Sequence, residues 1–251
     1  MPTSDALTWS IEALGILHCL VLMEHAEFLS FLTRYYSGYN TTQALKVLPR
    51  IMPSPEQAKI RFMFYAMLTT QTIFFGTNDA RLPNTLGYAQ TVPLETYKQQ
   101  LIEIATNPAI KTHNPHMILI TPPPIDERLC EATDAAKGIN QVRRTAENTA
   151  RYAEAVREVG EQLNVPVLDI WKAFMQRAGW SEGQPLPGSK DVERNAVLTE
   201  LMHDGLHFNP AGYRVLFDEL MKLIERTWPD QMPDKLPFLL PPWDDADAWL
   251  E

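Results

Sequence analysis

Near the end of the chain, His203-Asp204-Gly205-Leu206-His207 runs directly into Phe208-Asn209-Pro210. An aspartate three residues before a histidine, in a loop that opens a helix, can accept from one imidazole nitrogen and leave the other free as a general base. The same residues also read as a turn with a helix cap, because Asp, Gly and Asn-Pro are turn formers. A metal is the third reading, since His203 and His207 have the four-residue spacing that places two imidazoles on one helix face. Gly205 disfavours that helix, and Asp204 is one methylene shorter than the glutamate such a site uses as base. His113 and His116 bracket Asn114-Pro115 and are expected in a solvated turn.

Two further positions could stabilise negative charge. Asn78, in Gly76-Thr77-Asn78-Asp79, follows an apolar run, and its carboxamide could donate to a developing oxyanion. An Asx turn is its structural alternative. Gly38, in Ser37-Gly38-Tyr39-Asn40-Thr41, has no Cβ to keep a reacting oxygen from its backbone N–H. The turn before a helix would explain it equally well. Two donors on separate loops together with an Asp/His pair form a more specific combination than any one of them.

The elements that must carry these residues can be read from periodicity. Asn40 caps a helix through Ala44, Leu45, Val47 and Leu48 that is expected to stop before Pro49. A β-rich run over Thr72–Phe75 ends at the Gly76–Asp79 turn. Pro93 starts a helix with Leu94, Tyr97, Leu101, Ile104 and Ala105 on one stripe. A strand over Met117–Thr121 runs into Pro122-Pro123-Pro124, which cannot continue a ladder. A long helix from about Arg144 to Leu163 leads to a strand over Val165–Ile170. Asn209 and Pro210 then begin a helix reaching about Arg226.

Short strands alternating with helices predict an α/β fold: a three-layer α/β/α sandwich around a mostly parallel, flavodoxin-like sheet. In such a sheet, sites lie beyond the carboxyl ends of the strands. Gly76–Asp79 and the triple proline both fall there. At 251 residues the chain favours one large domain.

With a net charge of −9, the chain lacks the basic footprint that nucleic-acid binding needs. Cys19 and Cys130 lie far apart without CxxC spacing, so a reducing compartment, the cytoplasm, fits best. The apolar run Leu14–Met23 is too short to span a bilayer and has no basic residue before it, the first being Arg34. It is expected to be core. The tail after Trp228 is expected to pack across the surface through Phe238, Trp243 and Trp249.

Taken together, these motifs resemble the SGNH (GDSL-type) hydrolase superfamily, and within it the isoamyl acetate-hydrolysing esterase branch. The resemblance covers about Tyr36 to Asp245. It rests on Ser37–Thr41 with Ala44-Leu45, Phe75–Ala80, Ile120–Pro124, Asp204–Phe208 with Gly212-Tyr213, and the closing Pro241-Pro242-Trp243. It implies His207 as base, Asp204 as its orienting partner, and Gly38 and Asn78 as oxyanion donors. The implied activity is serine hydrolysis of small acyl esters, acetate esters foremost, with a small ester as partner and no cofactor or metal. A homo-oligomer is compatible with it.

The nucleophile does not carry over. The family places its serine in a Gly-Asp-Ser turn after the first strand, and no Gly-Asp-Ser occurs in this chain. Ser4, Ser10 and Ser30 do not follow an apolar strand in the required way. Residues 1–36 are therefore expected to be an atypical N-terminal segment ahead of the hydrolase domain at 37–251, with the first strand missing or replaced by Leu14–Met23. Phe64–Gln71 reads as an insertion before Thr72–Phe75. Two alternatives to an esterase follow: a catalytically dead ligand-binding relative, and a metal-dependent hydrolase using His203 and His207.

Overall fold

Asn40 opens helix α1 (Thr41–Ile51) with both halves of a capping box: its side chain accepts from the Gln43 N–H, and the Gln43 side chain accepts from the Asn40 N–H. This is a computed structural model, and it describes residues 38–52, 70–86 and 89–235. The readings made for Leu14–Met23, for Ser4, Ser10 and Ser30, for most of Phe64–Gln71 and for the tail anchors Phe238, Trp243 and Trp249 lie outside the described residues.

Strands β1 (Thr70–Phe74), β2 (His116–Ile120) and β3 (Val167–Leu168) form a parallel sheet in the order β1-β2-β3. Helices α2 (Leu94–Ala105) and α3 (Pro108–Lys111) link β1 to β2. Helices α4 (Glu127–Ala136) and α5 (Ala146–Leu163) link β2 to β3. Both crossovers step the same way across the sheet, and the right-handed rule then sets α2 and α5 on one face.

The cores agree with that placement. Leu119 of β2 packs with Ile73, Tyr97, Leu101, Tyr152 and Val156, drawn from β1, α2 and α5. Its neighbours Ile118 and Ile120 point the other way, into a cluster built with Leu168, Phe174, Leu201, Val215 and Leu223. That second face is covered by α6 (Ile170–Arg177), α7 (Ala196–Leu201) and α8 (Pro210–Thr227). The chain thus has the three α/β/α layers expected from the alternation of its elements.

Several boundaries differ from the sequence expectation. Helix α1 continues through Pro49 to Ile51. Losing the proline donor removes a single hydrogen bond, and the turn is closed by the Met52 N–H on the Leu48 carbonyl at 3.1 Å. β1 begins at Thr70, paired with His116, so the strand starts two residues before the expected Thr72. β3 is only Val167–Leu168, because Asp169 accepts from the Lys172 N–H and starts α6. Asn209 precedes α8 without a side-chain cap, and its Nδ2 donates to the Glu200 carbonyl at 3.0 Å. His113 lies in a turn, whereas His116 starts β2 and stacks on Trp228 with ring centroids 4.6 Å apart. The solvated-turn reading of His116 is corrected: its imidazole is half-buried against the indole.

Candidate active site

The loop after β1 and the loop before α1 are fastened by one carboxylate. Asp79 is fully buried, and its Oδ1 accepts from the Thr41 N–H at 2.8 Å and the Thr41 Oγ1 at 2.5 Å. Its Oδ2 accepts from the Gly76 N–H at 3.2 Å. Burial pushes the Asp79 carboxyl above the ordinary aspartate range, although the Thr41 and Gly76 hydrogen bonds pull it down. Gly38 and Asn78 are thereby brought to one place: with Tyr39, Phe74, Phe75, Gly76 and Thr77 they line a pocket of about 210 Å³.

Gly38 has φ +85°, a conformation that side-chain-bearing residues rarely adopt, and its carbonyl accepts from Gln90 Nε2 at 2.7 Å. Asn78 donates from Nδ2 to the Tyr39 carbonyl at 3.0 Å. A carboxamide nitrogen carries two protons, and the second has no partner among the described residues. The Asx-turn alternative does not describe this side chain, whose bonds are to Tyr39 and Arg144, far away in sequence.

Asp204 and His207 form a bonded pair. Asp204 Oδ2 lies 2.9 Å from His207 Nδ1, while Oδ1 accepts from the Leu206 N–H at 3.1 Å and the His207 N–H at 2.9 Å. The turn and the Asp/His pair, alternatives in the sequence, are the work of two oxygens of the same carboxylate. Because a carboxylate only accepts, Nδ1 carries the proton, and in the neutral imidazole Nε2 then has the lone pair. The His207 side chain is 71% exposed and that of Asp204 19%. Partial burial works against ionisation of Asp204, but the hydrogen bonds from the His207 ring, the His207 N–H and the Leu206 N–H outweigh it and hold the carboxyl well below the ordinary range.

The His207 loop is seated on the start of α4. Gly205 has φ +83°, its carbonyl accepts from the Asp126 N–H at 3.1 Å, and a Cβ there would lie 2.5 Å from the Asp126 carbonyl oxygen and 2.8 Å from Cys130 Sγ. Asp126 caps α4 just after the triple proline that ends β2. Arg144 spans the remaining gap. It donates from Nε to the Thr77 carbonyl and from Nη2 to Asn78 Oδ1, both at 3.3 Å, and its charge acts on Cys130 on the other side. The loops following β1 and β2 and the loop before α8 therefore meet at the carboxyl end of the sheet.

Two other chemistries can be weighed at this site. The positive φ of Gly205 keeps His203 and His207 off a common helix, and among the described residues no group of three or more His, Cys, Asp or Glu could hold a metal ion. Cys130 has a free thiol near Asp204, but burial pushes its pKa up to about 12, so it is protonated at neutral pH and a poor nucleophile. Of the described serines, Ser181 and Ser189 hydrogen-bond within their own turns and neither bonds to His207.

Sequence reasoning assigned no role to Asp79 or Arg144. A signal for Arg144 was present: Arg143 and Arg144 stand immediately before Thr145, the N-cap of the 18-residue helix α5. Cations there oppose the helix dipole, so some other contact must hold them. Arg143 is held by Asp134 and Arg144 by the Asn78 loop.

Comparison with known proteins bears on the family. Residues 35–220 match the family described as GDSL-like Lipase/Acylhydrolase. A GDSL esterase/lipase of Arabidopsis thaliana is 34% identical over 195 residues, covering 76% of this chain and 71% of that protein. The isoamyl acetate-hydrolyzing esterase 1 homolog of Mus musculus is 31% identical, covering 86% and 75%. The isoamyl acetate-hydrolyzing esterase of Saccharomyces cerevisiae is 27% identical, covering 89% and 80%. A catalytic mutant of an acetylxylan esterase from Geobacillus stearothermophilus superposes with a TM-score of 0.51 at 15% identity, covering 86% of this chain and 80% of that one, a likeness of fold. By its matched residues, its layered sheet and these relatives, the chain belongs to the GDSL (SGNH) family of ester hydrolases.

Proposed function

We propose that residues 37–251 form a serine-type carboxylic ester hydrolase domain acting on small acyl esters, acetate esters foremost. The observation that carries this reading is the 2.9 Å bond between Asp204 Oδ2 and His207 Nδ1, which leaves Nε2 as the base. Given a competent serine, which Ser181 and Ser189 do not supply, its hydroxyl passes its proton to Nε2 as its oxygen attacks the ester carbonyl. The Gly38 N–H and the second Nδ2–H of Asn78 receive the oxyanion, each donor lowering the barrier by about 3 kcal/mol. His207 returns the proton to the departing alcohol, then activates the water that releases the acyl group. The acetate preference is supported by the isoamyl acetate-hydrolyzing relatives and by the small pocket at Asn78. A cytoplasmic setting is supported by the free thiol of Cys130. Among the described residues no helix is long and apolar enough to cross a membrane.

A second reading, a ligand-binding relative without turnover, is favoured by one observation: the sequence has no Gly-Asp-Ser. Fluorophosphonate labelling of the folded chain with peptide mapping separates the two. The esterase reading expects one labelled serine whose labelling is lost in His207→Ala. A folded chain that takes no label, yet binds an ester, is the relative.

A further inference from the structure

We propose that Arg144 is a positioning residue for the oxyanion donor Asn78, fixing which end of its carboxamide faces the pocket; this rests on the ester-hydrolase reading above. A carboxamide has two ends of opposite character and can turn over about its last torsion. Its neighbours decide the outcome. The Tyr39 carbonyl can only accept, and it meets Nδ2 at 3.0 Å. The Arg144 guanidinium can only donate, and it meets Oδ1 at 3.3 Å. Turning the group over would set carbonyl against carbonyl and N–H against N–H. Arg144 therefore keeps the nitrogen toward Tyr39, which lines the pocket with Gly38 and Asn78, and its second proton has no partner among the described residues.

Its charge contributes as well. Arg143 beside it is paired with Asp134, whereas no carboxylate among the described residues pairs with Arg144, whose guanidinium lies on the Thr77 carbonyl and Asn78 Oδ1. A cation on Oδ1 draws electron density from the nitrogen and makes its free N–H a stronger donor, as charge-assisted hydrogen bonds are stronger than neutral ones. Arg144 touches no reacting atom; it acts through Asn78.

The test compares wild type, Arg144→Lys, Arg144→Met, Asn78→Ala and the double variant Asn78→Ala/Arg144→Met in hydrolysis of p-nitrophenyl acetate. In parallel, the Asn78 side-chain amide is followed by NMR on chains labelled with ¹⁵N-asparagine. The expected result for Arg144→Met is a fall in kcat of about 10- to 100-fold with KM little changed, as for a slightly misplaced group. Arg144→Lys recovers part of it, and adding Arg144→Met to Asn78→Ala costs nothing more. The Asn78 amide signal shifts in Arg144→Met and returns toward wild type in Arg144→Lys. Independent, multiplicative losses from the two single changes would overturn the proposal while leaving the hydrolase reading intact. Absence of turnover in folded wild type would overturn the hydrolase reading. An Asn78 amide signal unmoved in Arg144→Met would overturn the positioning role whatever the activity.

Discussion

Asp79 and Thr41 are joined twice, through the Thr41 N–H and its hydroxyl on the same carboxylate oxygen, although they stand 38 residues apart. The bond ties the loop that carries Gly38 to the loop that carries Asn78. The other carboxylate oxygen holds the Gly76 N–H, so the buried Asp79 side chain sets the separation of the two candidate oxyanion donors.

Asp79→Asn should therefore weaken the fold with almost no change in side-chain volume. The amide can keep one acceptor toward Thr41 but then presents an N–H to the Gly76 N–H. Leaving such a buried donor unsatisfied costs about 1–3 kcal/mol. Urea denaturation should show a lower midpoint at unchanged slope; an unchanged midpoint would mean that Asp79 does not hold the loops.

The candidate site residues were legible in the sequence, and the reason is local. Asn78 follows an apolar run, and Gly38, Asp204 and His207 stand in turn-forming segments that open a helix, so short segments alone mark them as candidates. Proline at 210 likewise announced α8, because a first-turn proline loses no helical bond. The unread parts depend on contacts across the chain. Arg144 acquires its place from Asn78, 66 residues away. His116 is taken out of solvent by Trp228, and β3 ends early because Asp169 caps α6 instead of extending the ladder. No periodicity records such meetings.

Asp204 should give the protein an acid-labile increment of stability. Its carboxyl is held well below the ordinary range when folded, so the contribution is fully present above the unfolded value of about 4 and is lost as pH falls toward the lowered folded value. Asp204→Asn removes hydrogen bonds to a charged acceptor, worth about 1.5–3 kcal/mol. Urea midpoints should differ most between wild type and variant near neutrality and draw together as pH falls below about 4. A difference that stays constant with pH would contradict this account.

Gly205 and Gly138 offer a paired comparison, since both have positive φ, +83° and +78° respectively. Alanine at Gly138 meets nothing within 4 Å, so only the conformational cost of about 1–2 kcal/mol applies. Alanine at Gly205 would press on the Asp126 carbonyl and the Cys130 amide as well, adding an overpacking cost of about 1–3 kcal/mol and moving His207. Thermal melts should rank Gly205→Ala clearly below Gly138→Ala, with hydrolysis impaired in the former alone. Equal melts and equal rates would mean that the His207 loop is not seated on α4 as described.

The central claim is that His207, held by Asp204, is the base of an ester hydrolase. Its most direct test is the steady-state rate of p-nitrophenyl acetate hydrolysis by the folded chain and by His207→Ala at pH 7. The account predicts turnover by the wild type and a loss in the variant on the order of a million-fold in kcat, down to the background set by binding and the oxyanion donors. Turnover that survives the substitution unchanged would contradict it.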